Sequence, residues 1–297
     1  MSSKNKMREL IRNSLGEDIG TADITTRIII PNSKKVNALI LLKEKAVVAG
    51  LEIARKVFTA VSRNIKFEAK CAEGSFQKAG TVIAILYGEA WPILSAERTA
   101  LNLLSHLSGI ATTTYAYVKK INPYPAKIMD TRKTIPGLRA LQKYAVKMGG
   151  GYNHRMGLWD GVLIKDNHIA AACLMPHAPC LKELIEIAKK KKPKNMKVEI
   201  EVKNLKEFEE ALSAGPDIIM LDNMKVSDIK KAVAIRRKAR EARLPDGQAR
   251  GNTLLEVSGG VTLDNVREFA KTGVDVISIG ALTHSVKAVD ISLEVIN

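Results

Sequence analysis

Two groups of cationic and polar side chains lie in the middle of the chain, each directly after an apolar segment. The first group follows the segment 126–129, and the second follows the segment 161–164. These groups and the turn between them contain Asp130, Thr131, Arg132, Lys133, His154, Arg155 and Lys165. If both segments are strands of one parallel sheet, these side chains meet at one edge of that sheet. Converging positive charge predicts a small ligand that carries carboxylates or phosphates.

Acidic side chains occur on the next two predicted strands. Glu199 and Glu201 are two residues apart in the segment VEIEV, so both side chains point to the same face of the strand. Asp222 ends the following apolar segment. Glu201 and Asp222 suit a Mg²⁺ ion that also binds phosphate oxygens, because Mg²⁺ is typically held by one or two carboxylates. Alternatively, these acids form salt bridges with Lys133 and Lys165, and the sequence leaves both possibilities open.

Glycines end two later apolar segments, in Ser258-Gly259-Gly260 and in Gly280-Ala281. Such turns can present backbone N–H groups to a phosphate at the start of a helix, because no side chain obstructs it. Loops after late strands are the usual phosphate site in barrels of alternating strands and helices. A Gly-Gly pair is also common in ordinary turns, so this prediction depends on the matching positions of the two turns.

From residue 126 onward, apolar segments alternate with helical patterns, which is typical of βα units. The predicted strands cover 126–129, 161–164, 198–202, 218–223, 254–260 and 276–284. The predicted helices cover 138–148, 181–192, 205–214, 226–242 and 263–272. Six strands are fewer than the eight of a closed barrel, so an open, incomplete barrel is predicted, with its chemistry at the carboxyl ends of the strands.

The N-terminal part of the chain mixes short strands with helices and predicts a separate α+β domain. Its predicted elements are helices at 5–15 and 51–61 and strands at 37–42, 46–49, 65–69 and 81–87. Gly16 is predicted to end the first helix. A long helix follows at 97–120, in which Gly109 allows a kink or close packing. Arg98, near the start of this helix, is expected to form a structural ion pair with Glu97 or another carboxylate.

The chain of 297 residues is basic, with 47 Lys and Arg, 31 Asp and Glu and a net charge of +16. This charge favours anionic partners, but much of it lies at 189–192 and 236–243, which are interpreted as solvated helix faces. Nucleic-acid binding is a weak alternative, because only 4% of residues are aromatic and no binding motif is visible. Three cysteines, no signal-peptide core and no membrane-spanning apolar stretch predict a cytoplasmic protein without a membrane partner.

Several long motifs resemble the quinolinate phosphoribosyltransferase family, which is also called nicotinate-nucleotide pyrophosphorylase (carboxylating). These motifs are GEDIGTADITT, AERTALNLLSHLSGIAT, DTRKTIPGLRALQKYAV, GGGYNHRMGLWDGVLIKDNH, VEIEV, IIMLDN, EVSGGVTLDNV and ISIGALTHSVKAVDISL. The resemblance extends over almost the whole chain. The segments 173–194 and 236–252 depart from it, and because both lie between motifs they affect surface properties more than chemistry.

The resemblance implies a fold, an assembly and a reaction. The fold would be an N-terminal α/β sandwich at 1–114, with the tail 286–297 packed on it, and an open α/β barrel at 115–285. The assembly would be a homodimer or a higher oligomer, in which the partner's N-terminal domain closes each barrel. The reaction would transfer phosphoribosyl from phosphoribosyl pyrophosphate to quinolinate with the help of Mg²⁺. Its products would be nicotinate mononucleotide, pyrophosphate and carbon dioxide, in the de novo synthesis of NAD.

The resemblance also implies roles for single residues. The dicarboxylate pocket would be lined by Thr131, Arg132, Lys133, His154, Arg155 and Lys165, together with Arg98 of the partner subunit. The phosphate would lie against Ser258, Gly259, Gly260, Ile279, Gly280, Ala281 and His284. The catalytic residues would be Lys133, Lys165, Glu201 and Asp222. Of these, Glu201 and Asp222 would serve the ribose and hold Mg²⁺, directly or through water or substrate.

Two other enzyme classes stay open. A barrel lyase or aldolase would use Lys165 as a Schiff base, as strand-end lysines do when they are desolvated. A related transferase would act on nicotinate or on another base. Two carboxylates need more cations than one, and the chain supplies five candidates besides Arg98, which favours quinolinate.

Overall fold

The computed structural model describes residues 3–31, 33–174, 179–241 and 252–296. The two segments that depart from the family motifs, 173–194 and 236–252, lie partly outside the described residues. The helices are α1 (Ser3–Ile19), α2 (Ile24–Ile29), α3 (Leu51–Val61), α4 (Ala90–Ile121), α5 (Arg139–Met148), α6 (Asp166–Cys173), α7 (Leu181–Lys191), α8 (Leu205–Ala214), α9 (Val226–Glu241), α10 (Val266–Lys271) and α11 (Ala281–His284). The strands are β1 (Lys35–Leu42), β2 (Ala46–Val47), β3 (Lys66–Ala69), β4 (Phe76–Gln77), β5 (Val82–Glu89), β6 (Lys127–Met129), β7 (Val162–Ile164), β8 (Val198–Val202), β9 (Ile218–Asp222), β10 (Leu254–Ser258), β11 (Val276–Ser278) and β12 (Ile291–Ile296).

The described residues form two compact units. Unit 1 contains those within Met1–Tyr115, Thr134–Gly150 and Ala281–Asn297, and unit 2 contains those within Ala116–Lys133 and Gly151–Gly280. The domain boundaries expected from the sequence, 1–114 with 286–297 and 115–285, remain a prediction. The compact units differ from it at 134–150 and at 281–285, which cluster with the N-terminal residues.

Unit 1 contains an antiparallel sheet of four strands in the order β12–β1–β5–β3. The C-terminal strand β12 pairs with β1, in a register that runs from Asn37 opposite Ile296 to Leu42 opposite Ile291. Every second side chain from Ala38 to Leu42 is fully buried, which is the period of a strand with one face on a core. Helices α1, α3 and α4 contribute apolar side chains to the same core.

The first helix is longer than predicted, because Gly16 does not end it. The helix α1 continues to Ile19, and Gly20 follows with a φ of +56° while its N–H donates to the carbonyl oxygen of Gly16. A glycine inside a helix costs only about 1 kcal/mol relative to alanine, so packing of the flanking turns can carry the helix through it. Gly20, in the left-handed conformation, is the residue that ends the helix.

Close packing explains Gly109 in the long helix α4, which is continuous from Ala90 to Ile121. A Cβ atom at Gly109 would lie 2.3 Å from the carbonyl oxygen of Lys287, so only glycine allows this approach. The second of the two roles predicted for Gly109 is therefore confirmed.

Unit 2 contains the predicted open α/β barrel. Its sheet has six parallel strands among the described residues, in the order β6–β11–β10–β9–β8–β7, with β6 and β7 at the two edges. The central strands are buried almost throughout, as expected of a parallel sheet covered by helices. The α/β fold class is confirmed, with an antiparallel sheet in one unit and six parallel strands in the other.

Arg236 on α9 contradicts the interpretation of 236–243 as a solvated helix face. Its side chain is buried, and Nη1 lies 2.6 Å from Oδ2 of Asp275. The same carboxylate oxygen accepts a hydrogen bond from the backbone N–H of Leu255 at 2.8 Å. A long arginine stem can cover apolar surface while its charged end reaches a carboxylate, so a charge run on a helix does not by itself show exposure. The neighbouring Arg237 does point to solvent, with 75% of its side chain exposed.

Candidate active site

The register of the parallel sheet places several polar side chains on one face, towards the carboxyl ends of the strands. Glu201 of β8 pairs with Met220 of β9, which pairs with Glu256 of β10. Two residues further along, Asp222 pairs with Ser258. Because side chains alternate between faces, all five share one face of the sheet. The sequence therefore positions Glu201, Asp222 and Ser258 as predicted for strand ends.

Lys165 and Glu201 form an ion pair across β7 and β8. Lys165 Nζ lies 2.6 Å from Glu201 Oε2, and the two side chains are 43% and 8% exposed. Of the two roles that the sequence left open for Glu201, the salt bridge with Lys165 is thus present. The second carboxylate oxygen of Glu201 can still bind a ligand. The pair therefore places one carboxylate and one ammonium group at neighbouring strand ends.

Two arginines of unit 2, Arg132 and Arg155, lie near enough for their positive charges to interact. Arg155 is half-buried, and its Nη1 donates to the carbonyl oxygen of Gly161 at 2.9 Å. Burial lowers the pKa of Arg155, the positive charge of Arg132 lowers it further, and the carboxylate of Glu199 partly opposes both. Two like charges close enough to act on each other, one of them half-buried, are stabilised by an anion bound between them.

His154 is held by hydrogen bonds on its backbone and on its ring. Its N–H donates to Oδ1 of the buried Asp130 at 2.9 Å, and its Nδ1 accepts from the N–H of Arg155 at 2.8 Å. Because Nδ1 accepts, the ring proton is on Nε2, which lies 3.1 Å from Oε2 of Glu199. Both ring nitrogens of His154 thus face groups of the protein. Its predicted place in the dicarboxylate pocket stays a prediction.

Glu256 is a functional candidate that the sequence reasoning missed. Its side chain is fully buried in the middle of β10, and Oε1 lies 3.7 Å from Nε2 of His154. Burial and the nearby carboxylate of Glu199 raise the pKa of Glu256 to about 8. The sequence feature that could have identified Glu256 is its position as the only acid in the mostly apolar segment LLEVS. An ionisable residue in a buried strand is uncommon without a partner.

Asp222 and Glu201 are the residues that fit Mg²⁺. The Asp222 side chain accepts a hydrogen bond from Nδ2 of Asn223 at 2.9 Å, which fixes the orientation of the carboxylate. Two carboxylates at neighbouring strand ends are the donor set that Mg²⁺ uses together with phosphate oxygens and water. Their predicted role as metal ligands stays a prediction.

The turn after β10 is built for glycine. Gly259 has a φ of +91°, and a Cβ atom there would lie 2.2 Å from Oδ1 of Asn223. Asn223 itself has a φ of +53°, and its N–H donates to the carbonyl oxygen of Ser258 at 2.9 Å. The side chain of Asn223 thus lies between Asp222 and the glycine turn, so the carboxylate and the predicted phosphate loop are positioned together.

Replacing Gly259 by alanine is expected to raise the KM for the substrate whose phosphate binds at this turn on the order of tenfold, because the turn and Asn223 must both shift. We expect a smaller increase for Gly260→Ala, since Gly260 has a φ of +61° but open space where a Cβ atom would be. Steady-state kinetics with both variants measure the difference. Equal KM values for the two variants would contradict the role given to the contact between Gly259 and Asn223.

The other predicted site residues occupy varied positions. In unit 2, Thr131 Oγ1 accepts from the N–H of the exposed Lys133 at 3.0 Å, and Ile279 is buried, with its N–H bonded to the carbonyl oxygen of Met129. Its backbone N–H is therefore already used within the protein. Gly280, also predicted to bind the phosphate, lies in unit 2 and is half-buried. The other predicted substrate-binding residues belong to unit 1: Ala281 is half-buried, and His284 and Arg98 are exposed.

Arg98 is exposed on α4, and within the described part of the chain it does not form the structural salt bridge expected from the sequence alone. Burial raises the pKa of Glu97, and the positive charge of Arg98 only partly opposes this effect. The helix α4 buries another face at this point, through Ala96 and Ala100. The apolar residues of that face made the segment around Arg98 look buried in the sequence.

Comparison with known proteins defines the class of enzyme. Residues 23–108 match the family described as quinolinate phosphoribosyl transferase, N-terminal domain, and residues 110–294 match its C-terminal domain. The chain is 44% identical over 294 residues to the probable nicotinate-nucleotide pyrophosphorylase (carboxylating) of Methanocaldococcus jannaschii, covering 97% of this chain and 96% of the relative. The corresponding Mycobacterium leprae enzyme is 40% identical over 290 residues, with 97% and 96% covered.

The solved structures agree with these relatives. The nicotinate-nucleotide pyrophosphorylase of Francisella tularensis has a TM-score of 0.86 and 39% identity, with 99% of this chain and 98% of that chain covered. This chain belongs to the quinolinate phosphoribosyltransferase family, as its motifs predicted. Among the described residues, no helix is both long and apolar enough to cross a membrane.

Proposed function

We propose that this protein transfers the phosphoribosyl group of phosphoribosyl pyrophosphate to quinolinate in the de novo synthesis of NAD. The ring nitrogen of quinolinate forms a bond to C1 of the ribose while the bond from C1 to pyrophosphate breaks. The carboxylate next to the nitrogen then leaves as carbon dioxide, its bonding electrons stay on the ring carbon, and a proton adds there. The products are nicotinate mononucleotide, pyrophosphate and carbon dioxide.

The observation that carries this proposal is that Arg132 and Arg155 lie near enough for the charge of Arg132 to lower the pKa of Arg155, in the same unit as the Lys165–Glu201 ion pair. Two adjacent carboxylates on a small ring match two guanidinium groups, since each guanidinium can grip a carboxylate with two parallel hydrogen bonds. When pyrophosphate departs, positive charge develops on the ribose, and the carboxylates of Glu201 and Asp222 stabilise it. The positive charge on the alkylated ring nitrogen stabilises the electron pair left on the adjacent ring carbon, so carbon dioxide leaves without a further cofactor. Catalysis then depends mainly on positioning and charge.

The Schiff-base alternative is disfavoured by the surroundings of Lys165. A lysine used in this way is normally activated by desolvation or by a second cation. Lys165 is instead 43% exposed and paired with a carboxylate at 2.6 Å. Phosphoribosyl transfer uses such a lysine as a fixed positive charge, which is the state that Glu201 supports.

A homodimer whose subunits share each site is part of this proposal, with Arg98 of the partner subunit entering the dicarboxylate pocket. Two observations support it: Arg98 is exposed, and three isoleucines on α2 are largely exposed as well. Ile24, Ile28 and Ile29 are 68%, 78% and 67% exposed. Several large apolar side chains exposed on one short helix favour contact with another protein surface. The free cysteines Cys71, Cys173 and Cys180 support a place in the reducing cytoplasm.

Mg²⁺ is expected to be required, and product analysis tests this together with the reaction itself. When bound with the substrate pyrophosphate at Glu201 and Asp222, the ion would neutralise charge on the leaving group. Purified protein should form nicotinate mononucleotide, pyrophosphate and carbon dioxide in equal amounts from quinolinate and phosphoribosyl pyrophosphate. Chelation by EDTA should lower the rate on the order of a hundredfold or more, and added Mg²⁺ should restore it. Full activity in EDTA would contradict the metal role, and the absence of these products would contradict the reaction.

A further inference from the structure

Glu256 is fully buried beside His154, a residue of the predicted dicarboxylate pocket, and the proposed reaction gives it no role. We propose that Glu256 is a positioning residue: with Glu199 it holds the imidazole of His154, and through that ring it fixes the backbone of Arg155 where the dicarboxylate binds. This inference rests on the proposed function and extends it from the residues that touch the substrate to the residues that support them.

The contacts form a chain from the interior of the sheet to the binding groups. His154 Nε2 lies 3.1 Å from Glu199 Oε2 and 3.7 Å from Glu256 Oε1. The side chains of His154, Glu199 and Glu256 are 11%, 6% and 0% exposed, so water cannot replace these contacts. On its other side, the imidazole accepts the N–H of Arg155 at 2.8 Å. Displacement of the ring therefore displaces Arg155.

A metal ion is the other ligand that this cluster suggests. One nitrogen or oxygen from each of His154, Glu199 and Glu256 lies within 4.8 Å of the others. A histidine that binds a metal normally donates its second ring N–H to an acceptor. Here Nδ1 accepts a hydrogen bond instead, so Nε2 carries the proton and has no lone pair for a metal. The geometry thus favours a buried polar support for the imidazole over a metal centre.

The buried carboxyl group of Glu256 is costly for stability, which indicates a role outside folding. Neither of its oxygens has a hydrogen-bond partner among the described residues. Replacement of buried charged groups by apolar side chains of similar volume is often neutral or stabilising. The adjacent strand residues Leu255 and Val257 are apolar and equally buried, so β10 does not need a glutamate to fold.

The charge state of the pair fits the same role. Two carboxyl groups side by side in a buried site cannot both be ionised at neutral pH. Burial and the neighbouring Glu199 raise the pKa of Glu256 to about 8, so Glu256 is the group that keeps its proton. The carboxylate of Glu199 raises the pKa of Arg155 and so favours its charge. Protonated Glu256 therefore fills the space beside His154 without adding a second negative charge next to Glu199.

Two variants of Glu256 test the proposal, with a control on the same strand. Glu256→Leu keeps the volume but removes the polar group, and Glu256→Gln keeps the shape and polarity of the protonated acid. Val257→Ala removes a buried apolar side chain from the opposite face of β10 and serves as the control for general destabilisation. The probe is phthalate, which has the two adjacent carboxylates of quinolinate but no ring nitrogen to react.

We expect Glu256→Leu to weaken phthalate binding and to raise the KM for quinolinate by about tenfold or more, with the KM for phosphoribosyl pyrophosphate within about twofold. Glu256→Gln should stay within about threefold of wild type in both, and Val257→Ala should lower Tm without changing the phthalate Kd. Wild-type phthalate binding by folded Glu256→Leu, or equal losses for both substrates, would overturn the proposal. Failure of the proposed function would appear differently, as wild-type protein that binds phthalate but forms no nucleotide.

Discussion

Replacing Arg132 by alanine is expected to abolish turnover of quinolinate while the protein stays folded. Arg132 follows β6, and its charge is close enough to lower the pKa of Arg155. Removing one partner of a buried, hydrogen-bonded charge pair costs about 4 kcal/mol, which corresponds to a loss in kcat/KM on the order of a thousandfold. Steady-state kinetics with quinolinate as the varied substrate measure the loss.

Two further variants sharpen this prediction. Arg132→Lys keeps the charge but loses the planar fork, so it should recover only part of the activity. Lys127→Ala removes an exposed cation from the opposite end of the same strand and controls for a general effect of charge. Near-normal formation of nucleotide by folded Arg132→Ala would refute the assignment of the pocket.

Mixing two inactive variants is expected to restore activity, because in the proposed homodimer each site takes residues from both subunits. Arg98→Ala and Arg132→Ala should each be inactive as homodimers. In a heterodimer of the two, both changes fall in one site and the other site is intact. Random mixing makes half of the dimers heterodimers, so about a quarter of the wild-type sites should recover. The measurement is the specific activity after joint refolding or coexpression.

A control mixture of two other variants shows whether recovered activity comes from sites shared between subunits or from a general reactivation on mixing. Arg132 and Asp222 both belong to unit 2, so a heterodimer of Arg132→Ala and Asp222→Ala has one change in each site and should stay inactive. Recovery in the first mixture and none in the second is the expected pattern. If neither mixture recovers although heterodimers have formed, Arg98 does not act across the subunits.

Much of the fold was predictable because each apolar segment after residue 126 ends in polar residues at a strand terminus. That pattern placed Lys165 directly after β7, Glu201 on β8 and Asp222 at the end of β9, where the structure has them. Periodicity could not give the partners, since these depend on the register of strands distant in sequence. The sequence left a metal or a salt bridge open for Glu201, and the pair with Lys165 became visible only when β7 lay beside β8.

Three differences have physical causes in tertiary packing. Gly16 was expected to end α1, but flanking turns carry the helix to Ile19. Arg236 was assigned to a solvated face, whereas it is buried against Asp275, a residue between α10 and β11. Glu256 was not singled out, because its partners His154 and Glu199 come from other elements of the sheet. In each case a contact distant in sequence overrides the local pattern.

The most direct test of the central claim is discrimination between quinolinate and nicotinate, which differ by one carboxylate. We expect kcat/KM for quinolinate to exceed that for nicotinate on the order of a hundredfold or more, since nicotinate leaves guanidinium groups of the pocket unpaired. Each nucleotide formed from quinolinate should release one carbon dioxide. Comparable or better use of nicotinate would contradict a pocket in which Arg132 and Arg155 grip two adjacent carboxylates.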